Sequence, residues 1–305
     1  MAGGGHGTRA VVAALAANAG IAVAKFVGFV ITGSASMLAE SIHSVADSGN
    51  QGLLLLGGHR ARRQADAEHP FGYGRERYFW AFVVALVLFS LGGAFAIFEG
   101  IEKIRHPHEL ESVGVAIGIL LFAIVLESWS FRTAIHEARP IKGDASWWQF
   151  IRRSKNPELP VVVLEDLGAL IGLLVALAAV STAHVTGDSI YDAIGTLFIG
   201  ILLTAIAVVL AIEMKSLLIG ESATAKVQEE IRAGITGDPE VERLIHLRTQ
   251  HIGPEELLIG AKVSFADDLA VPELAGAVDR LEARVRERVP EARIMYIEPD
   301  VMRTS

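Results

Sequence analysis

Cysteine is absent from the 305 residues. Disulfides and thiolate metal sites are therefore excluded, and His, Asp and Glu are the only strong ligands the chain can offer a metal ion. Charge is scarce as well. Charged residues make up 20% of the chain against 51% hydrophobic, and the mean hydropathy is +0.43. This balance is too apolar for a soluble protein of this length. The N-terminal MAGGGHGTRAVVAALAANAG has no separate charged region and no clear cleavage site before its apolar stretch, so it is expected to be a short cytoplasmic tail entering a first membrane span. There is no HExxH run, no Gly-rich phosphate loop and no nucleophile elbow, which argues against an enzyme.

What the chain does have is apolar length. Six stretches, about 9–31, 36–58, 78–102, 112–136, 160–183 and 190–217, approach the ~20 residues needed to cross a bilayer. From about residue 221 the composition changes to the mixed charge of a soluble domain, so two domains are expected, 1–220 in the membrane and 221–305 outside it. An even number of spans puts both ends on one side. Arg60, Arg62, Arg63, Arg75 and Arg77 follow the second span, and Arg139, Lys142, Arg152, Arg153 and Lys155 follow the fourth. The loop at 103–111 has only Lys103 and Arg105 against Glu109 and Glu111. By the positive-inside rule both termini face the cytoplasm, and a multi-pass protein of the cell membrane is expected.

The second span is the unusual one. SASMLAESIHSVADSGNQGLLLLGG carries Glu40, His43, Asp47, Asn50 and Gln51 among Leu, Ala and Gly. A carboxylate at mid-membrane costs roughly 2.5 to 3.5 kcal/mol on insertion scales and needs a compensating cation, partner or watery cavity. His43 and Asp47 are four residues apart, which on a helix places them on one face about 6 Å apart, close enough to share a metal ion. The fifth span, LPVVVLEDLGALIGLLVAL, starts on the opposite side and carries Glu165 and Asp166, so the two spans can meet near mid-depth. Neighbouring residues point about 100° apart, so Asp166 is taken as the ligand and Glu165 as a neighbour that packs or pairs elsewhere. Gly92, Gly93, Gly195 and Gly200 read as close helix contacts. Lys25, Glu99, Glu127 and Asp192 are further ionisable residues in spans, with Glu127 deep enough for a polar contact inside the bundle.

Between the second and third spans lies EHPFGYGRERYFW, where Pro70, Gly72 and Gly74 dictate a turn and Phe71, Tyr73, Tyr78, Phe79 and Trp80 form an aromatic cluster at the membrane boundary. With TGSASMLAESIHSVADSGNQGLLLLGG before it, this stretch resembles the cation diffusion facilitator family, whose members exchange divalent transition metals for protons across membranes. The resemblance covers nearly the whole chain. It implies a metal site of two ligands on span two and two on span five. His43 and Asp47 match the first pair and Asp166 one member of the second, while Val162 stands where a fourth ligand is commoner. The chain is therefore similar to the branch with Glu-Asp on span five, and water, Glu165 or another residue is expected in the fourth position of a tetrahedral site. The loop motif Asp-x-x-His-x-x-x-His of zinc-transporting bacterial relatives is represented by Asp66, His69 and Tyr73, so Asp66 and His69 are candidates with one ligand of three lost. The family's terminal His-x-Asp-Pro is replaced by Tyr296-Ile297-Glu298-Pro299.

The tail reads as helix 222–236, strands 241–251 and 256–265 joined at Gly253-Pro254, helix 272–289 and strand 292–298. This αββαβ order predicts a two-layer α+β domain with both helices on one face of the sheet. The resemblance implies that it is ferredoxin-like, of the metallochaperone type, and dimerises the protein. His246 and His251, five apart on a strand, point to opposite faces if the strand is regular.

Together these readings describe a homodimeric transporter that carries a divalent cation, zinc before Mn²⁺, Fe²⁺ or Co²⁺, out of the cytoplasm in exchange for protons. The lipid membrane, the ion and a second copy are its expected partners. No tightly bound cofactor and no nucleic acid is expected. The competing reading is a non-transporting membrane regulator on the same scaffold.

Overall fold

The computed structural model describes residues 7–32, 35–107 and 113–300; the side chains described omit residues 32, 35–40, 42, 43 and 46. Two units emerge, one formed by Met1–Arg60 and Glu76–Lys215, the other by Ala61–Arg75 and Ser216–Ser305. The loop after the second helix thus belongs with the C-terminal part of the chain.

The regular elements described in the first unit are all helical: α1 (Thr8–Thr32), α2 (Ala35–Arg60), α3 (Glu76–Val87), a π-helical turn (Leu88–Ala94), α4 (Phe95–Arg105), α5 (Val113–Lys142), α6 (Trp147–Arg153), α7 (Glu158–Thr186) and α8 (Ile190–Ile219). Among the described residues, five continuous stretches are long and apolar enough to cross a membrane: Thr8–Ile31, Glu76–Arg105, Val113–Lys142, Glu158–Thr186 and Ile190–Ile219. α2 has the length, 26 residues, but is diluted by the polar residues at its centre. Helices α1, α2, α5 and α7 pack against one another, with α3 beside α2. Their contacts are made by small residues, Ala10, Ala14 and Ala17 of α1 and Ala123, Ala134 and Ala138 of α5 all being buried. Small side chains let helices approach closely where lipid supplies no hydrophobic drive.

The glycines of the third and sixth spans act in the same way. A Cβ on Gly200 would sit 2.6 Å from Ile97 N, one on Gly100 2.8 Å from Leu197 N, and one on Gly93 would strike the Thr204 hydroxyl. Backbone meets backbone along α4 and α8, and no side chain can yield to make room. The π-helical turn falls on this seam. Ser146 starts α6 through a capping box with Gln149, each side chain bonding to the other's backbone N–H. Gly187, at φ 70°, ends α7 in the left-handed conformation that suits glycine. An ion pair, Arg77 Nε to Glu158 Oε1 at 3.1 Å, joins the first turn of α3 to that of α7.

The second unit contains α9 (Ala225–Thr236), β1 (Val241–Gly253), β2 (Glu256–Phe265), α10 (Val271–Arg288) and β3 (Ile294–Asp300). The sheet order is β1-β2-β3, with β1 and β2 antiparallel and β2 and β3 parallel. Strict alternation along β2 sends Leu257, Ile259, Ala261 and Val263 to one face, where Ile231 and Ile235 of α9 and Ala277, Leu281 and Val285 of α10 cover them. This is the α+β layer order expected from the sequence. The loop 61–75 packs on this unit through Gly74, whose Cβ would lie 2.7 Å from Ile252 O and 2.9 Å from Gly253 Cα.

Candidate metal centre

The polar residues of α2 are arranged by helical spacing. Asn50 and Gln51 follow Asp47 by about one turn, and both are buried against other helices. Gln51 Oε1 accepts from Asn18 Nδ2 of α1 at 3.3 Å, and Asn50 Nδ2 donates to Glu165 Oε1 of α7 at 3.1 Å. The second oxygen of that carboxylate, Glu165 Oε2, is buried with no hydrogen-bond partner among the described residues. A buried, unsatisfied carboxylate oxygen is a place where an ion, water or proton is wanted.

Beside these residues lies a cavity of about 440 Å³. Asp47, Glu127 and Glu165 stand in its wall, with Asn18 and Lys25 of α1. The remaining lining is largely apolar, from α5, α7, α4 and α8. Glu165, expected to pair away from the site, does pair with Asn50, and it also reaches the cavity. Asp166 is 1% exposed and lies outside the cavity wall. Ser130 Oγ donates to Asp166 Oδ2 at 2.7 Å, and Glu127 lies against the same carboxyl group. Val162, one turn before Asp166, is fully buried and brings no donor. His43 lies on α2 one turn before Asp47, but its side chain is outside the described residues. Among the described residues no three His, Asp or Glu side chains converge to hold one ion.

Four carboxyl groups, Asp47, Glu127, Glu165 and Asp166, therefore occupy one region of α2, α5 and α7 and feel one another electrostatically. In a poorly polarisable interior such a group of like charges requires positive charge close by. Asn18 and Ser130 were not apparent as site residues from the sequence. An Asn within an apolar span was the available signal for the first, whereas Ser130 resembles any other small polar residue of a membrane helix. Lys25, Glu99 and Asp192 all line the cavity, as does Lys103.

The loop candidates behave differently. Asp66 Oδ1 accepts from the backbone N–H of His69 at 2.7 Å and of Glu68 at 3.1 Å, and Oδ2 accepts from the Tyr73 hydroxyl at 2.7 Å. The donated Tyr73 hydroxyl, then the His69 N–H, holds the Asp66 carboxyl below the usual carboxylate range. The His69 and Tyr73 rings lie 4.4 Å apart, and the Arg63 guanidinium sits 4.2 Å over the Tyr73 ring. Gly72 supplies the positive φ of 78° that the turn needs. Asp66 and His69 are brought together, and Tyr73 takes the carboxylate as hydrogen-bond partner.

In the tail, pairing of β1 with β2 is regular from His246 to His251, so the odd spacing puts the two imidazoles on opposite faces. His246 is exposed and His251 is buried. They do not share a site. Tyr296 of β3 is exposed.

The family model described as the cation efflux transmembrane domain matches residues 11–219. The chain is 30% identical over 314 residues to the proton-coupled zinc antiporter SLC30A9, mitochondrial, of Xenopus laevis, covering 90% of this chain and 56% of that protein. It is 32% identical over 273 residues to metal tolerance protein C4 of Arabidopsis thaliana, covering 87% and 59%. To the cation-efflux pump FieF of Klebsiella pneumoniae it is 24% identical over 291 residues, covering 93% and 89%. The chain thus spans little more than half the length of the first two relatives.

Proposed function

As the chain belongs to the cation efflux family, the cation diffusion facilitators, we propose that it is a secondary transporter moving a divalent transition metal, zinc by preference, out of the cytoplasm in exchange for protons. The observation that carries this reading is the 440 Å³ cavity inside a membrane-crossing bundle, with Asp47 and Glu165 in its wall, one Glu165 oxygen having no hydrogen-bond partner among the described residues. In this reading the ion is held by His43, Asp47 and Asp166, with Glu165 in the position that Val162 leaves without a donor. Reaching Asp166 requires Ser130 and Glu127 to give up their contacts with it, so binding of the ion and repacking of α5 against α7 are one event.

Exchange follows from competition. Imidazole and carboxyl groups must lose protons to coordinate a metal, so a proton gradient drives release on the side where protons are plentiful. His43 is the group whose ordinary titration range, near pH 6.5, suits this role best. The imidazole also selects for ions of borderline softness over all-oxygen ions such as Mg²⁺. Arginine and lysine in the loops after the second and fourth spans support termini and C-terminal unit on the cytoplasmic side, with that unit as the dimerising part. Asp and Glu outnumber Lys and Arg in residues 221–305, which favours accumulation of cations near that unit.

Uptake of Zn²⁺, Co²⁺ and Mn²⁺ into proteoliposomes, with and without a pH gradient, tests the proposal. Flux that depends on the gradient and disappears in Asp47→Ala and Asp166→Ala is expected. Native flux in either variant would displace the site, and no flux of any ion would favour the regulator reading.

A further inference from the structure

The cavity extends from Asp47 and Glu165 to Glu99, Lys103 and Asp192. There Lys103 Nζ lies 3.0 Å from Asp192 Oδ2 and 3.3 Å from Glu99 Oε1, and donates to Thr196 Oγ1 at 3.1 Å. All three donors of the ammonium are thereby used. The Thr196 hydroxyl in turn donates to the backbone carbonyl of Asp192 at 3.0 Å, which fixes the acceptor. Lys103 belongs to the last turn of α4 and Asp192 to the first turn of α8, so the cluster links the end of one span to the start of another.

Holding two helices together needs one carboxylate per ammonium. Here there are two, one of them on the same helix as Lys103, and the group carries a net negative charge in the wall of the cavity. A divalent ion at the ammonium's position would be balanced by the two carboxylates and would gain the Thr196 oxygen as a neutral neighbour. Such an ion would be retained, because two carboxylates and a hydroxyl are oxygen ligands of the kind that hold divalent cations. The lysine is attached to the same helix as Glu99, so it is always at high local concentration and competes with any ion that arrives.

We propose that Lys103 is a tethered counter-ion at the far end of the cavity, occupying Glu99 and Asp192 so that an ion leaving the centre is passed on and not retained. The direction of passage rests on the export reading above. In that reading this end faces the exterior, and Lys103 sets how fast the ion is released.

The test is metal stoichiometry of the full chain in detergent by equilibrium dialysis against Zn²⁺ and Mn²⁺, alongside flux in proteoliposomes. Lys103→Met is expected to bind about one further equivalent of metal per chain, since the freed carboxylates form an oxygen-rich site. The added equivalent should vanish in Lys103→Met/Asp192→Asn and be absent in Lys103→Arg, which keeps the charge. Flux through Lys103→Met should fall about tenfold, a change well within one charge interaction at this distance. Stoichiometry unchanged from wild type in Lys103→Met overturns the proposal, whatever happens to flux. Should Lys103→Met not fold, Lys103→Gln retains a donor for Thr196 and carries the same two expectations. Wild-type flux is read independently: its absence counts against export, whereas unchanged stoichiometry in a protein that transports counts against the counter-ion alone.

Discussion

Asn50 and Glu165 face each other across the contact of α2 with α7, the amide nitrogen 3.1 Å from the carboxylate oxygen. The bond ties the helix that carries His43 and Asp47 to the helix that carries Asp166, and it engages one oxygen of Glu165 while the other has no hydrogen-bond partner among the described residues. A neutral amide aims the carboxylate without neutralising it.

Glu165→Gln should therefore weaken zinc binding by tenfold or more in calorimetry of the purified protein, because an amide oxygen is a poorer ligand and brings no charge. Asn50→Leu should weaken it by roughly tenfold, the range found when an orienting partner of a metal ligand is lost. If Glu165→Gln binds zinc as tightly as wild type, Glu165 serves only to hold α2 against α7.

At the loop, Tyr73→His should create zinc binding where Asp66 and His69 already lie together, measured as one more zinc per chain in dialysis. Tyr73→Phe removes the main donor to Asp66, and the Asp66 carboxyl should return towards its ordinary range. The sign is that of a depressed acid: the Asp66–Tyr73 contribution is fully present above the usual carboxylate range and is lost as pH falls through the lowered folded value. A carbon NMR titration of labelled Asp66 in the two proteins checks this.

Gly200→Ala should destabilise the bundle by about 1 to 3 kcal/mol, as expected for overpacking, because its Cβ would meet the Ile97 backbone at 2.6 Å. Gly118→Ala in α5 meets nothing within 4 Å and should be neutral or gain up to about 1 kcal/mol from helix propensity. Thermal melting in detergent separates the two.

His43→Asn exchanges an imidazole nitrogen for an amide oxygen of similar reach. Zinc flux should fall strongly and manganese flux much less, and the pH dependence of the remaining transport between about 6 and 7.5 should flatten. Retention of both the zinc preference and the pH profile would leave the mechanism to the carboxylates alone.

The helices and the αββαβ order were legible because each rests on a period: long apolar runs for the spans, and alternation such as Leu257, Ile259, Ala261 and Val263 for β2. The close contacts at Gly93 and Gly200 were legible from the scarcity of reasons for glycine inside a span. The π-helical turn at Leu88–Ala94 was not, since one extra backbone unit leaves no mark in hydrophobic pattern. The seven-residue α6 was missed although Ser146 and Gln149 spell a capping box, because seven residues are too few for periodicity. At the centre, Asp47 and Asp166 stand out in apolar runs. Which of Glu165 and Asp166 reaches the cavity depends on the rotation of α7, and adjacent positions in a sequence carry no information on that.

Gly74 lies against the backbone of Ile252 and Gly253, in a unit whose two pieces, Ala61–Arg75 and Ser216–Ser305, are separated by 140 residues of membrane helices. A ribosome adding about 5 to 20 residues per second needs roughly 7 to 28 s to make that interval. During this time the loop has emerged but its docking surface does not exist. The loop must wait undocked while four spans are inserted, with only contacts of its own, the Asp66–Tyr73 turn and Arg63 over the Tyr73 ring, among those described. Assembly of the protein is therefore ordered in time: membrane insertion comes first, and closure of the loop onto the C-terminal unit is the step that completes the chain.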